Sequence, residues 1–124
     1  MKKYQNGQTL VLLLVFVMMA IAITTAAIFI ITTNSTSATS VSLGIATKEM
    51  AETGAEKALL NLLRDPNYKG ETFSLDTGTV YATVSGTSTL TIDSTAVNGS
   101  FIKRVEVIAT YSNNVLTVGS WKDY

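Results

Sequence analysis

The chain contains no cysteine and no histidine, and it has a single proline. Without cysteine, the protein has neither disulfide bonds nor thiolate metal ligands. Without histidine, it lacks the side chain that most often serves as a general base and as a ligand of transition metals. The carboxylates show no spacing typical of a calcium loop or of an acid and base pair. These absences predict a protein that is not an enzyme and that uses no metal or other cofactor.

Charge is absent from a long stretch near the amino terminus. No Asp, Glu, Lys or Arg lies between Lys3 and Lys48, and the run from Gln8 to Thr32 is almost wholly apolar. At 1.5 Å per helical residue, Leu10–Ile31 would form a helix roughly 30 Å long, which matches the hydrocarbon thickness of a bilayer. Lys2 and Lys3 precede the run, so the amino terminus is expected in the cytoplasm and the remainder outside.

An ordinary secretory signal peptide is the alternative interpretation of this run. Ala20–Ile21–Ala22 or the Ala26–Ala27 pair could serve as its cleavage site. The apolar run continues through Ile28–Ile31, however, and it therefore exceeds the usual length of a signal-peptide core.

Over the whole chain, 9 basic side chains balance 9 acidic ones, so no nucleic-acid partner is indicated.

The helical pattern continues beyond the apolar run. The Ser/Thr-rich residues 32–40 contain no Gly or Pro, so we expect a continuous helix that its hydroxyl groups bend. Residues 41–63 are amphipathic. Arg64 in the last turn and Pro66 just after it predict the end of the helix. The apolar face that we expect to cover a sheet comprises Ala51, Ala55, Leu59 and Leu62, flanked by Ala58 and Leu63.

After Gly70 the period of the hydrophobic pattern changes from 3.6 to 2. The alternation predicts four strands in an antiparallel meander, at residues 79–85, 88–97, 101–111 and 115–121. Asn98–Gly99 is a typical two-residue hairpin loop, and a second turn is expected at 112–114. The predicted fold class is α+β, with one long amino-terminal helix packed on a four-stranded sheet whose edges are candidate docking surfaces.

Three motifs carry a resemblance to a known family. The basic leader KKYQNG ends at Gly7, immediately before QTLVLLLVFVMM; residues 51–59 read AETGAEKAL; and Ser120–Trp121–Lys122 follows the predicted sheet. In this combination the chain resembles type IV pilin-like proteins, and within them PilX-like minor pilins and the tip-type minor pseudopilins of type II secretion. The resemblance covers the whole chain in architecture but only about the first half in motif.

The resemblance implies a division of the chain and a cleavage site. Residues 1–7 would be a leader, 8–32 a transmembrane and filament-core helix, 33–65 the soluble half of that helix, and 66–124 the sheet domain. Prepilin peptidase would cut between Gly7 and Gln8, and the new amino group of Gln8 would be methylated. The alternative is that Gly7 is a flexible joint before an ordinary membrane anchor.

One position departs from the family pattern. Most major pilins carry a glutamate at the fifth mature position, where this chain has Leu12. That carboxylate is thought to pair with the terminal amine of a neighbouring subunit, an attraction that is strong in hydrocarbon. Its absence resembles a tip-type subunit. A major pilin held by apolar packing alone remains the alternative, because omitting both charges also omits the cost of their desolvation.

The resemblance also implies the partners. Other pilin subunits would pack against the helix, after it has resided in the inner membrane and met prepilin peptidase and the pilus assembly machinery. The mature chain would then lie in a cell-surface filament. A second hypothesis is a single-span, outward-facing membrane protein whose small β domain binds a partner without any filament. The expected helix assembly face comprises Leu10, Val11, Leu14, Val17, Ala20, Ala22, Ala26 and Ala27.

Overall fold

The computed structural model of the chain describes residues 5–75 and 77–124, and in these residues one helix precedes five antiparallel strands. Helix α1 extends over Gln5–Arg64. The strands follow in the spatial order of the sequence, each pairing with the next, so the sheet is a meander. They are β1 at Gly70–Leu75, β2 at Gly78–Gly86, β3 at Thr89–Asn98, β4 at Phe101–Ser112 and β5 at Val115–Asp123.

Helix α1 continues through the Ser/Thr-rich stretch, as the sequence predicts. The hydroxyl of Thr36 donates to the carbonyl oxygen of Thr32 at 3.0 Å, and that of Thr39 donates to the carbonyl oxygen of Ser35 at 3.0 Å. The helix ends at Arg64, immediately before Asp65 and Pro66, because proline has no amide hydrogen with which to continue the pattern. Both the continuity and the predicted end of the helix are confirmed.

The chain divides into two compact units, Met1–Thr39 and Ser40–Tyr124. In the first unit, the side chains of residues 7–39 are all exposed. The second unit contains the hydrophobic core of the described residues, which forms between one face of α1 and one face of the sheet. The apolar surface of the first unit therefore has no cover from the rest of its own unit.

The sheet has five strands, so the prediction of four was wrong by one. The missed strand is β1, which pairs with β2 from Gly70 opposite Thr83 to Leu75 opposite Gly78. Its sequence, GETFSL, contains only two large apolar residues, and both are only partly buried. Pairing with β2 and contacts with α1 stabilise this strand. Neither can be inferred from so short a pattern.

The core side of α1 is made of small residues. Ala51, Ala55 and Leu62 are completely buried, as predicted. Leu59 packs only partly against the core, and Leu63 is 56% exposed, because both lie toward the side of the helix that the sheet does not cover. The buried face, at spacings of three and four residues, comprises Thr47, Met50, Ala51, Gly54, Ala55, Ala58 and Leu62.

The turn between β3 and β4 is shifted by one residue from the predicted position. Asn98 pairs with Phe101, so the loop residues are Gly99 and Ser100, and Gly99 supplies the positive φ of 60°. Asn98 itself is buried, and its side-chain oxygen accepts a hydrogen bond from the Thr77 hydroxyl at 3.1 Å. Because Asn98 is buried and hydrogen-bonded, it is the last residue of β3 rather than the first residue of the loop. The loop therefore consists of Gly99 and Ser100, one residue later than predicted.

Candidate functional site: the predicted assembly helix

The predicted cleavage site lies in the first turn of α1. Gly7 and Gln8 are both exposed, and a Cβ atom built on Gly7 would have no other atom within 4 Å. Residues 1–4 of the predicted leader lie outside the described residues. The first amide groups of a helix have no intrahelical partner, and terminal turns open easily. The peptide bond between Gly7 and Gln8 therefore lies in an exposed terminal turn of the helix.

The apolar half of α1 is exposed on all sides. Between Gly7 and Arg64 the helix is long and apolar enough to cross a membrane, judged by its length and composition, and none of its most apolar window is buried. The core helix of a soluble protein can pass the same test of length and composition, but such a helix is mostly buried. A signal sequence near the amino terminus can pass the test as well. Leu12, at the position of the family glutamate, is 71% exposed. The exposure shows that the rest of the first unit does not cover this surface.

The predicted assembly residues are distributed around the helix. Leu10, Leu14 and Val17 follow spacings of four and three residues and share one side, with Val11 beside them. The alanines divide into two pairs: Ala20 with Ala27, and Ala22 with Ala26. Since each residue advances the helix by about 100°, the two pairs lie on different sides, centred about 130° apart. Small residues therefore lie on more than one side of the helix.

The hydroxyl groups of the two threonines within the apolar run form hydrogen bonds inside the helix. The Thr24 hydroxyl donates to the carbonyl oxygen of Ala20 at 2.7 Å, and the Thr25 hydroxyl donates to that of Ile21 at 2.8 Å. A hydroxyl bonded in this way can enter hydrocarbon without an external partner. The run is thus compatible with lipid or with packed helices.

In the second unit, Lys48 connects the helix to the last strand. Its Nζ atom lies 2.8 Å from Oδ2 of Asp123 and 3.5 Å from Oε1 of Glu52. The hydrogen bond and the charge of Asp123 raise the pKa of Lys48, and the same hydrogen bond lowers the pKa of Asp123. Both groups are solvated, so the pair stabilises the fold only modestly. The sequence contains no pattern that predicts this pairing.

A second ion pair connects α1 to β1. The Nζ atom of Lys57 lies 2.9 Å from Oε1 of Glu71 and 4.1 Å from the ring centre of Phe73. The Asn61 amide also donates to Glu71, at 3.3 Å. The hydrogen bond from Lys57 lowers the pKa of Glu71, whereas burial raises the pKa of Tyr68 nearby. This group of residues holds the missed strand against the helix.

The outer face of the sheet carries a third group of charges. Arg104 on β4 contacts Asp93 on β3, with Nε 2.6 Å and Nη2 2.5 Å from Oδ1. This hydrogen bond raises the pKa of Arg104. The main chain of Arg104 also exchanges two hydrogen bonds with Tyr124, at 2.8 and 3.1 Å. These contacts support the register of β3, β4 and the end of the chain after β5.

The two edge strands, which were predicted as docking surfaces, are β1 and β5. On β5, Val118 and Trp121 face the same side as the core but are 47% and 40% exposed. Gly119 lies at a register shift between β4 and β5, and such a bulge discourages pairing with a further strand. Among the described residues no group of His, Cys, Asp and Glu is arranged to hold a metal ion.

No protein family model, curated protein or solved structure matches this chain. The functional conclusion therefore depends on the residues and on the geometry described above. Of these features, the sequence alone indicates the exposed apolar helix and its glycine boundary. The ion pairs of Lys48 with Asp123 and of Lys57 with Glu71 join different elements, so only the folded structure brings them together, whereas Asp93 and Arg104 lie on the two strands of one hairpin.

Proposed function

We propose that this chain is a structural subunit of a type IV pilus-like filament or of a type II secretion pseudopilus. The observation that carries the proposal is the uncharged, fully exposed first half of α1, which continues into a helix covered by a small antiparallel sheet. The helix would reside in the inner membrane before assembly, with its amino terminus in the cytoplasm. Afterward it would pack among the helices of other subunits in a cell-surface filament.

The distribution of small and apolar residues supports a helix with several neighbours. Alanine pairs on different sides of the helix would allow other helices to approach from more than one direction. The hydroxyls of Thr24 and Thr25 already donate to carbonyl oxygens of the same helix, so they require no polar partner from another molecule. A helix with these properties can exchange a lipid environment for a protein environment at little cost in unmade hydrogen bonds.

Maturation would occur by cleavage between Gly7 and Gln8, followed by methylation of the new terminal amine. We expect Gly7→Val to retain residues 1–7, because a β-branched side chain hinders close approach of a peptidase to the backbone. Intact-mass measurement of the membrane fraction checks this outcome. The wild-type chain should begin at Gln8 with one added methyl group.

Gly44→Val is the matched control for this experiment. Gly44 also lies in α1, and a Cβ atom built on it has no other atom within 4 Å. This variant should be cleaved like the wild type. A leader retained in the wild-type chain would contradict the proposed maturation.

Within such a filament, Leu12 favours a minor, tip-type position over the main shaft. No carboxylate is present at that position to pair with the amine of an adjacent subunit, and no charged side chain lies anywhere between Lys3 and Lys48. Electron microscopy with labelling of this chain distinguishes the positions. Label at filament ends supports a tip subunit, whereas label along the whole length supports a major pilin without the glutamate.

A second candidate function is that of a single-span membrane protein whose β domain binds a partner. The half-exposed Val118 and Trp121 on edge strand β5 favour this alternative, because exposed aromatic and apolar side chains commonly anchor protein contacts. In that case the label would be distributed over the membrane, and no filaments would be decorated.

A further inference from the structure

Asn98 and Gly99 form one of the two Asn–Gly pairs of the chain. Asn98 is the last residue of β3, and it pairs with Phe101 across the two-residue loop. Asn98 is only 8% exposed, whereas Gly99 is exposed, and a Cβ atom built on Gly99 would have no other atom within 4 Å. A buried amide side chain is thus followed directly by a residue with open space around it.

An Asn–Gly pair has an intrinsic reaction. The main-chain nitrogen of the glycine can attack Cγ of the asparagine, because glycine has no side chain that blocks the approach. A C–N bond forms, the side-chain nitrogen leaves as ammonia together with the proton of the glycine amide, and a cyclic imide results. Water then opens the imide at either carbonyl, which leaves aspartate or isoaspartate. Water is the only co-reactant.

The fold holds Asn98 away from this reaction in two ways. The Thr77 hydroxyl donates to Oδ1 of Asn98 at 3.1 Å, which fixes the orientation of the side-chain amide. The main chain of Asn98 is extended in β3, and an extended residue directs the following nitrogen away from its own Cγ. Attack therefore requires that the Thr77 contact breaks and that the end of the β3–β4 hairpin leaves its strand geometry.

The surroundings of Asn98 do not suit the products. Gly78 of β2 lies beside it: a Cβ atom built on Gly78 would lie 3.3 Å from Cβ of Asn98 and would clash with the terminal methyl group of Met50 on α1. Isoaspartate adds a methylene group to the main chain of the hairpin, and aspartate places a negative charge at a buried position. Either product should loosen this end of the sheet.

We propose that Asn98 is a modification site that deamidates spontaneously, and that the hydrogen bond from Thr77 controls the rate by holding the side chain in its folded position. Conversion occurs from the form in which the hairpin end has opened locally. Hydrolysis of the imide does not restore the amide, so a loosened form of the second unit accumulates with time. The inference concerns the second unit alone and requires neither membrane insertion nor a filament.

Peptide mapping by mass spectrometry measures the reaction in the full chain, kept in detergent in a mildly alkaline buffer. Mapping separates Asn98 from the other Asn–Gly pair, Asn6–Gly7, and chromatography separates aspartate from isoaspartate. We expect Asn98 to convert at least about tenfold more slowly in the folded chain than in the chain unfolded in urea. Equal rates would overturn the proposal, as would an unfolded chain in which Asn98 stays intact.

Substitutions of Thr77 test the hydrogen bond. Thr77→Ala should accelerate conversion at Asn98 by roughly fivefold, since a hydrogen bond of ordinary strength then no longer opposes opening. Thr77→Ser keeps the hydroxyl and should retain the wild-type rate. Thr87→Ala is the matched control, because Thr87 is exposed like Thr77 but lies in the turn between β2 and β3, and this variant should also convert at the wild-type rate.

Gly54→Ala distinguishes the local contact from a general loss of stability. A Cβ atom at Gly54 would clash with Ser94, in the middle of β3 rather than at the hairpin end. Conversion at Asn98 should therefore rise less in Gly54→Ala than in Thr77→Ala. Equal acceleration in the two variants, or no acceleration in Thr77→Ala, would refute the role of the Thr77 hydrogen bond.

Discussion

At the scale of single residues, Gly54 permits the close approach of α1 to the sheet. A Cβ atom built on Gly54 would clash with Oγ of Ser94 and would lie 2.5 Å from Cγ1 of Val80. Ser94 is completely buried, and its hydroxyl has no hydrogen-bond partner among the described residues. The helix and the sheet are therefore so close at this point that a methyl group cannot be added without displacing the side chains of Ser94 and Val80 or the elements that carry them.

Gly54→Ala should accordingly destabilise the protein. Alanine favours a helix over glycine by about 1 kcal/mol, but overpacking a tight core typically costs about 1–3 kcal/mol, so the clash should prevail. Thermal unfolding of the full chain in detergent should show a lower Tm. Gly44→Ala is the control, because that site is open, and it should leave Tm unchanged or raise it. An increase in Tm for Gly54→Ala would show that the helix can move away without cost.

At the scale of elements, β1 differs from the other strands. It is a short edge strand that pairs only with β2, and its side chains are exposed or only partly buried. Contacts with α1 compensate for the missing neighbour, above all the contacts of Lys57 with Glu71 and Phe73. The strand thus depends on the helix as well as on the sheet.

Lys57→Ala should therefore loosen β1 selectively. Removing the ammonium group deletes both contacts, while the pairing of β2, β3 and β4 is unaffected. Amide hydrogen exchange should become faster in β1 and stay unchanged in the three central strands. Lys69→Ala is the matched control, because Lys69 is exposed and has no ion pair among the described residues. Equal protection in the two variants would contradict a role for Lys57.

At the scale of the whole molecule, ion pairs connect the helix to both edges of the sheet. Lys57 and Glu71 join it to β1, and Lys48 and Asp123 join it to β5. Because the pKa values of Glu71 and Asp123 are lowered in the folded state, their contribution is fully present above the pKa values of the unfolded chain. It is lost as the pH falls through the folded values. Acid should therefore weaken the attachment of both edge strands.

Thermal unfolding measured as a function of pH tests this expectation. Tm should be nearly constant from about pH 7 to about pH 5 and should decrease below about pH 4, where the two carboxyl groups become protonated. The double variant Glu71→Gln and Asp123→Asn should have a lower Tm at neutral pH and a weaker acid dependence. An unchanged acid dependence in this variant would assign the effect to other carboxylates.

The sequence by itself determined the class of the fold and the candidate site on α1. Period and composition are local properties, so they sufficed to predict a continuous helix that ends at Arg64 and four of the strands. The glycine boundary and the missing charge at Leu12 are also visible in the sequence. Filament assembly and cleavage at Gly7 stay predictions, because they concern partners outside the chain.

Only the tertiary structure decided the features that depend on distant residues. The strand β1 has a weak local pattern and is held by β2 and by Lys57. The loop after β3 moved to Gly99 and Ser100 because the Asn98 side chain is buried beside Thr77. The extent of the sheet, rather than helix periodicity, determines that burial on α1 begins at Thr47. Within the second unit Val41 and Ile45 stay exposed, because a helix can bury only the turns that its own sheet reaches.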